Sequence, residues 1–471
     1  MNSTINRFRG KRVTVMGLGL FGGGVGITQW LHKAGARITV TDIRKPAELK
    51  ESLRALSNLK NITYHLGGHR NNDFTETDLV VVNPAVPPDS PYLKLVKKHR
   101  IRLETENNIF FQLCPAPIIG VTGSNGKTTT AYLLAEMLKT ANRKVWLGGN
   151  IGKESLLANI NRIHKNDVVI LELSSFQLED LGRIGKSPHI SVVTNISPNH
   201  LDRHKTMRNY IKAKKSILRY QNKSDYVILN LDDREVRRWS RESKGKTLYF
   251  SHSKHPSNGA FIHNHKFHVS SNSVKHAVCD VSETILMGDF NQENIAAALA
   301  VAGIFNIPTS HLADVIRTFP GVEHRLEFVS EICGVKYYND SIATNPASTI
   351  GAINAVSGNL HLILGGYDKQ LPFNKLAKII IRNYQRIKSI ILIGATADKI
   401  EDALLKYGSY HLQKNLVLLK SGSLAETVLL AKRIAKSGDT VLLSPACASF
   451  DMFRNFAERG ALFKKIVKTL P

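Results

Sequence analysis

Three groups of residues in this chain have the types and spacing for chemistry. The densest is Gly120-Val121-Thr122-Gly123-Ser124-Asn125-Gly126-Lys127-Thr128-Thr129. Glycines there let consecutive backbone N–H groups face phosphate oxygens. A helix starting at the loop adds partial positive charge, Lys127 reaches the terminal phosphates, and Thr128 offers a hydroxyl to Mg²⁺. A strict Walker motif would carry glycine where Val121 stands. The bland alternative is a turn that binds nothing, but strand, Gly-Lys-Thr and helix all in place argue for nucleotide phosphate. The second group is Val168-Val169-Ile170-Leu171-Glu172. Many strands end in an acid; one βα unit after Gly-Lys-Thr, Glu172 is a metal-ligand candidate at the sheet's phosphate-binding edge. The third is Asn195-Ile196-Ser197-Pro198-Asn199-His200-Leu201-Asp202-Arg203-His204. A lone loop histidine is ordinarily just a surface residue, but His200 follows a strand in dense polar company.

Three further patterns have weaker claims. Gly17-x-Gly19-x-x-Gly22, followed by Asp42, has the form of a dinucleotide fingerprint. It admits an NAD-dependent dehydrogenase, or a turn holding the diphosphate of another nucleotide. His252, His255, His263, His265, His268 and His276 resemble a metal tract, with His263 and His265 expected on one strand face. With one cysteine nearby and almost no carboxylate, they read as solvent-facing histidines. Arg203, Lys205, Arg208, Lys212, Lys214, Lys215 and Arg219 form a charge run that ordinarily marks a solvated helix face. It lies close behind the His200 cluster, so one lysine is free to turn inward.

The elements that must position these groups alternate strand and helix. Strands are expected at Arg12–Met16, Arg37–Val40 and Leu79–Val82, with a helix from Thr28 to Ala34. Cys114-Pro115-Ala116-Pro117 is a linker. A second unit opens at Ile118–Val121 and continues through Asp167–Leu173, Ile190–Asn195 and Tyr226–Asn230. Residues 246–285 suggest β-hairpins, and Asn291–Ile304 an alanine-rich helix. After Pro320-Gly321, strands at Leu360–Leu364, Ser389–Ile393 and Thr440–Leu443 make a third unit. The fold class is therefore α/β, with three parallel-sheet domains at 1–114, 115–320 and 321–471.

Composition narrows the function classes. The chain has 471 residues, 42% hydrophobic, with a formal net charge of +26. Such a charge raises the question of a nucleic-acid-binding ATPase. The excess is spread evenly along the chain with no basic tail or block, a weak footprint for nucleic acid. No apolar run is long enough to span a membrane. Basic residues before the apolar stretch Val13–Ile27 loosely mimic a secretory signal, but six glycines interrupt it. Cys114, Cys279, Cys333 and Cys447 are scattered and form no CxxC, which fits a reducing cytoplasm.

Taken together, the motifs resemble the Mur ligases, ATP-dependent amino-acid ligases of peptidoglycan synthesis. The resemblance spans essentially the whole chain. It rests on GVTGSNGKTT at 120–129, LELSSFQLE at 171–179, NISPNHLDRH at 195–204, GDFNQENIAAAL at 288–299, GVEHRLEFV at 321–329, NDSIATNP at 339–346 and LSPACASFDMFRNFAERG at 443–460. The NDSIATN and SPACASFD blocks look like those of the D-glutamate-adding branch. The resemblance implies a Rossmann-like UDP-binding domain, a central ATP-binding domain and a Rossmann-like third domain that brings in the amino acid. It implies ATP and two Mg²⁺ sites as cofactors, a UDP-muramoyl substrate and D-glutamate as partners, and a cytoplasmic monomer without nucleic acid or membrane insertion.

Residue by residue, the resemblance puts Gly123, Ser124, Asn125, Gly126, Lys127, Thr128 and Thr129 on ATP, joined by Asn291, Asn294, Arg325 and Asp340. Lys127, Glu172, His200 and Lys214 carry catalysis. Thr128 and Glu172 hold one metal, His200 and a carbamylated Lys214 the other. Gly19, Leu20, Phe21, Asp42, Arg44, Asn83, Asn150, Ser174 and Gln177 face the UDP substrate, and Thr344, Lys369, Ser449 and Phe456 the D-glutamate. The chain departs from the family in having Asn83-Pro84-Ala85 for the frequent Ser-Pro-Gly, and Phe450 where some relatives have Leu.

Overall fold

The computed structural model describes residues 7–20, 22–151, 155–414 and 416–470. They build three sheets. The first contains β1 (Arg12–Met16), β2 (Arg37–Asp42), β3 (Ile62–Leu66), β4 (Leu79–Val82) and β5 (Arg102–Glu104), all parallel, in the order β3-β2-β1-β4-β5. The second contains β6 (Ile118–Thr122), β7 (Val145–Gly149), β8 (Val168–Glu172), β9 (Ile190–Val193), β10 (Tyr226–Asn230), β11 (Lys246–Ser251), β12 (Gly259–His263), β13 (Lys266–Ser271) and β14 (Val274–Asp280). Its order is β14-β13-β12-β11-β10-β9-β6-β8-β7. The third contains β15 (Glu327–Ile332), β16 (Val335–Asn339), β17 (Leu360–Leu364), β18 (Ile387–Ile393), β19 (Val417–Ser421) and β20 (Thr440–Leu443), ordered β15-β16-β20-β17-β18-β19.

Strands such as β6, β8 and β17 are buried at every position. Unbroken apolar runs suit a parallel sheet covered on both faces. In each sheet the strand order reverses next to a strand that feeds a functional loop. The chain leaves β6 towards β8 and β7, then returns to place β9 on the other flank of β6. Loops after β6, β8 and β9 therefore meet at one edge, where ligands of such sheets bind. The same rule brings together the loops after β1 and β4, and those after β16, β17 and β20.

The helices that matter for the site are α1 (Gly23–Lys33), α2 (Glu106–Leu113), α3 (Lys127–Thr140), α4 (Ser175–Arg183), α5 (Met207–Arg219), α6 (Asp289–Ile304), α7 (Pro346–Ala355) and α8 (Phe456–Lys468). One apolar cluster runs from Phe8 and Trp30 through Phe110 and Ile118 to Trp239, joining the first two units. The third unit has its own cores on either face of its sheet.

Several elements differ from the sequence reading. Helix α1 begins at Gly23, straight after the glycine turn, rather than at Thr28. Strand β11 pairs in parallel with β10 and β12, so within residues 246–285 the antiparallel hairpins are those of β12, β13 and β14. Strands β15 and β19 carry mixed burial and no clean alternation, so their signal is weak, whereas β16 alternates buried and more exposed positions over its five residues. His263 ends β12, whereas His265 sits in the turn with φ +57°, so the two do not share a strand face. His255 and His268 gather around His263 instead, with ring centroids 4.3 and 6.1 Å from it.

Candidate active site

The phosphate loop is gripped from outside. Gly123 has φ +150°, and a Cβ there would lie 1.8 Å from Thr194 Oγ1; a Cβ on Gly126 (φ +84°) would lie 2.2 Å from Asn294 Oδ1. Both glycines are required by close approach as well as by backbone conformation. The Asn125 N–H donates to Asn195 Oδ1 at 2.9 Å, and the Ser124 hydroxyl bonds the Ser197 carbonyl (2.8 Å) and contacts the Tyr210 hydroxyl (3.0 Å). Thr129 is buried in the first turn of α3. Asn291 and Asn294 are buried on α6; Asn294 donates to Asn291 Oδ1 at 3.1 Å and backs the loop.

The ionisable groups converge on this loop. Thr128 Oγ1 donates to Glu172 Oε2 at 2.6 Å, and Asn150 Nδ2 to Glu172 Oε1 at 3.1 Å. Glu172 is buried at the end of β8. Lys127 Nζ folds back on the Gly123 and Ser124 carbonyls at 3.2 and 3.3 Å. Burial lowers its pKa, Glu172 opposes that, and Arg325 reinforces it. Lys214, on the basic helix α5, turns inward and is 2% exposed; its Nζ donates to the Gly123 carbonyl (2.9 Å) and Thr122 Oγ1 (3.2 Å). Burial, aided by Lys127 and opposed by Glu172, holds its pKa well below the usual lysine range. His200, at φ +52° before the short helix Leu201–His204, is pushed down to about 3 by burial, then by Lys369, Lys127, Lys214 and His204. Its imidazole is therefore neutral and able to donate a lone pair.

A hydroxyl and a carboxylate beside a phosphate loop suit a hard divalent cation such as Mg²⁺, and the neutral imidazole of His200 offers a nitrogen donor close by. The grouping Glu323, His324 and Glu327 is different: Lys464 Nζ already lies 2.6 Å from Glu323 and 2.9 Å from Glu327.

The third unit reaches the same loop. Ser348 Oγ and Asn345 Nδ2 donate to Asn125 Oδ1 at 2.8 and 3.3 Å. Asp340 accepts from Ser444 Oγ (2.8 Å) and is raised to about 6 by burial, with Arg325 opposing. Thr344, Lys369, Ser449 and Phe456 come from the loops after β16, β17 and β20 and the start of α8. Ser449 is 2% exposed. Phe450 is 61% exposed, edge-on to Tyr367 at 5.9 Å. Arg459 donates to Ser341 Oγ and to the Ser341, Cys447 and Ala448 carbonyls, binding the loops after β16 and β20 together.

In the first unit, Gly19 N–H and Arg44 N–H donate to the Asp42 carboxylate at 3.0 and 2.9 Å. Asp42 is 1% exposed, so it braces the turn from behind, while Leu20 is 40% exposed. Asn83 Nδ2 lies 3.4 Å from the Gly17 carbonyl. Phe21 lies outside the described residues. A cavity of about 380 Å³ separates this turn from the central unit, lined by Gly22, Gly23, Pro84, Glu106, Ser155 and Gln177 among others. Ser174 and Gln177 form a capping box at the start of α4. Sequence reasoning did not single out Asn345, Ser348, Phe176 or Arg459. For Asn345 the signal was there, an N-cap asparagine before Pro346 at the head of α7.

Comparisons with known proteins agree on this architecture. The chain matches the Mur ligase MurD-like N-terminal domain over residues 11–104, the Mur ligase middle domain over 121–302 and the Mur ligase glutamate ligase domain over 324–447. It is 42% identical to the UDP-N-acetylmuramoylalanine–D-glutamate ligase of Roseiflexus sp. (strain RS-1), covering 98% of this chain and 99% of that one. It is 40% identical to the same-named protein of Acetivibrio thermocellus over the full length of both. Among solved structures it resembles the UDP-N-acetylmuramate-alanine ligase of Thermotoga maritima (TM-score 0.61, 18% identity, 98% and 99% covered). It also resembles a pseudomurein peptide ligase type C of Methanothermus fervidus (TM-score 0.60, 21% identity, 98% and 100% covered). With three matched domains and full-length relatives at this identity, the chain belongs to the Mur ligase family.

Proposed function

We propose that this protein joins D-glutamate to UDP-N-acetylmuramoyl-L-alanine with hydrolysis of ATP to ADP and phosphate. The observation that carries this reading is the convergence of Lys127, Glu172, His200 and Lys214 on one phosphate loop that the amino-acid-side unit also touches. We take the units as residues 1–114 for the UDP substrate, 115–320 for ATP and 321–471 for the amino acid.

The substrate carboxylate attacks the γ-phosphorus of ATP, the bond to ADP breaks, and an acyl phosphate forms. The D-glutamate amine then adds to the acyl carbon, loses a proton, and expels phosphate. Bringing a carboxylate to a triphosphate sets anion against anion. Mg²⁺, when bound, offsets that charge and polarises the γ-phosphoryl oxygens. Thr128 and Glu172 hold one ion; His200 and Lys214 serve a second. Lys214, a buried amine with a lowered pKa, adds CO₂ through its nitrogen and releases a proton, so a cation becomes a carboxylate-like ligand. Lys127 leaves its carbonyl contacts for the β- and γ-phosphates, the loop N–H groups follow, and Arg325 covers the nucleotide from the third unit with Asp340 beside it. Asn291 and Asn294 back the adenine side. Gly19, Leu20, Arg44 and Asn83 face the UDP, with Asp42 bracing their turn from behind and Phe21 assigned to the same ligand by the family resemblance alone; Asn150, Ser174 and Gln177 face the muramoyl-alanine end. Lys369 pairs with a glutamate carboxylate, with Thr344, Ser449 and Phe456 forming the rest of the pocket. No helix among the described residues is long and apolar enough to cross a membrane, and we propose a monomer acting in the cytoplasm.

The test is phosphate release with ATP, Mg²⁺, UDP-N-acetylmuramoyl-L-alanine and D- or L-glutamate in parallel. Release requiring both the nucleotide substrate and D-glutamate is expected. Turnover of NAD(H), or hydrolysis stimulated by DNA alone, would refute the reading.

A further inference from the structure

The orientation of His200 rests on packing. Among the described residues no hydrogen bond to its ring is present; the side chain stands edge-on to Phe176, with ring centroids 5.1 Å apart. Phe176, in the first turn of α4, is itself clamped. His204 stacks on it at 5.3 Å and 22°, and is fixed in turn by the Ser175 hydroxyl at 2.8 Å. The Arg203 guanidinium carbon lies 3.9 Å from the Phe176 ring centroid. Arg203 also crosses a domain boundary, since its Nη1 donates to the Pro84 carbonyl at 2.7 Å. Pro84 follows β4, borders the interdomain cavity, and adjoins Asn83, whose side chain meets the glycine turn at Gly17. One guanidinium thus joins the loop beside the UDP-side cavity to the ring that packs on His200.

We propose that Arg203 is a positioning residue that couples occupancy of the first unit's nucleotide loop to the orientation of His200 through the face of Phe176. The inference rests on the ligase reading above. A planar guanidinium lies over an aromatic ring while donating in its own plane to a carbonyl, a fixed geometry that the compact, tetrahedral ammonium of lysine on its flexible stem does not reproduce. A substrate that moves Pro84 pulls on Arg203, and Phe176 cannot follow without shifting the edge that His200 rests against.

The experiment compares Arg203→Ala, Arg203→Lys, Phe176→Leu and the Arg203→Ala/Phe176→Leu pair in the full-length protein. Arg203→Ala is expected to lower kcat about tenfold and leave KM for D-glutamate within about twofold. Lysine is expected to recover little of the loss. The pair is expected to be no slower than its worse member, because both changes break one connection. In carbon-13-histidine spectra, assigned with His200→Gln, adding UDP-N-acetylmuramoyl-L-alanine moves the His200 signal in the native protein and not in Arg203→Ala. A lower Tm with unchanged kcat, full rescue by lysine, or multiplied losses in the pair would overturn the proposal. If the native protein released no phosphate with D-glutamate while His200 still responded through Arg203, the ligase reading would fail and the coupling would stand.

Discussion

The chain makes the same local structure twice: a buried strand, a glycine turn and a helix, at Gly17–Gly22 and again at Gly123–Gly126. Gly22 and Gly126 have nearly the same backbone, φ +86° and +84°. Their surroundings differ. Among the described residues, and apart from its own chain neighbours, no atom lies within 4 Å of a Cβ built on Gly22, whereas one on Gly126 runs into Asn294. The first turn is braced from inside its own unit by Asp42 and Asn83. The second is held by the loop after β9, by α6 and by α7 of the third unit. The lesson is that a glycine motif specifies a shape, while the elements packed around it decide how much chemistry the shape carries.

The largest test of that difference is Lys214→Ala. It removes a buried amine from the second turn's surroundings, and ligase activity is expected to fall about 1,000-fold or more, about 4 kcal/mol of barrier. Partial recovery with small carboxylates such as acetate would identify the missing group as carboxylate-like; absence of recovery in a folded variant counts against carbamylation. Next, alanine at the two matched glycines separates conformation from packing. Gly22→Ala carries only the left-handed penalty of about 1–2 kcal/mol. Gly126→Ala adds displacement of Asn294, for about 3–4 kcal/mol in all. Equal losses in urea unfolding would erase the distinction drawn here.

A smaller effect concerns the seam between the two regions. Glu106, at the start of α2, hydrogen-bonds with Ser155 across the seam and is raised to about 7, chiefly by burial. A carboxyl whose folded pKa lies above its unfolded value of 4.5 contributes stability that is fully present below pH 4.5 and lost as pH rises through 7. Glu106→Gln is therefore expected to raise Tm by about 3 °C at pH 8 and by under about 1 °C at pH 4. Equal shifts at both pH values would show that charge is not the cause. The smallest effect is Ser348→Ala, which removes one hydrogen bond from the third unit to Asn125. About a threefold fall in kcat/KM for D-glutamate is expected, in keeping with a net hydrogen bond of about 0.5–1.5 kcal/mol.

Much of this arrangement was legible in the linear chain. Strands β1, β4, β10, β17 and β20 fall where their apolar runs end, because a covered parallel strand announces itself by composition. Strand β15 was not legible, since its half-buried residues lack either a pure run or an alternation; β16 does alternate, but over only five residues of mixed apolar and polar type. Within the site, Lys127 and Thr128 follow from local spacing. Asp42 reads from spacing as a nucleotide contact, yet its carboxylate is taken up by the backbone of the turn. That allocation depends on how close β2 brings it to Gly19.

The overall charge illustrates the same limit. The cations tied to the site, Lys127, Lys214, Arg325 and Lys369, are few against a net +26, and two of them, Lys127 and Lys214, press on each other in a space where burial already disfavours charge. By itself the sequence determined the three α/β units, the phosphate loop and the chemical character of each cluster, because these depend on periodicity and on residues adjacent in the chain. The tertiary structure alone decided that Lys214 Nζ meets the Gly123 carbonyl, that His200 rests on Phe176, and that Asn345 and Ser348 reach Asn125. These are contacts between residues far apart in sequence, fixed by strand order and by which polar groups burial forces to find partners.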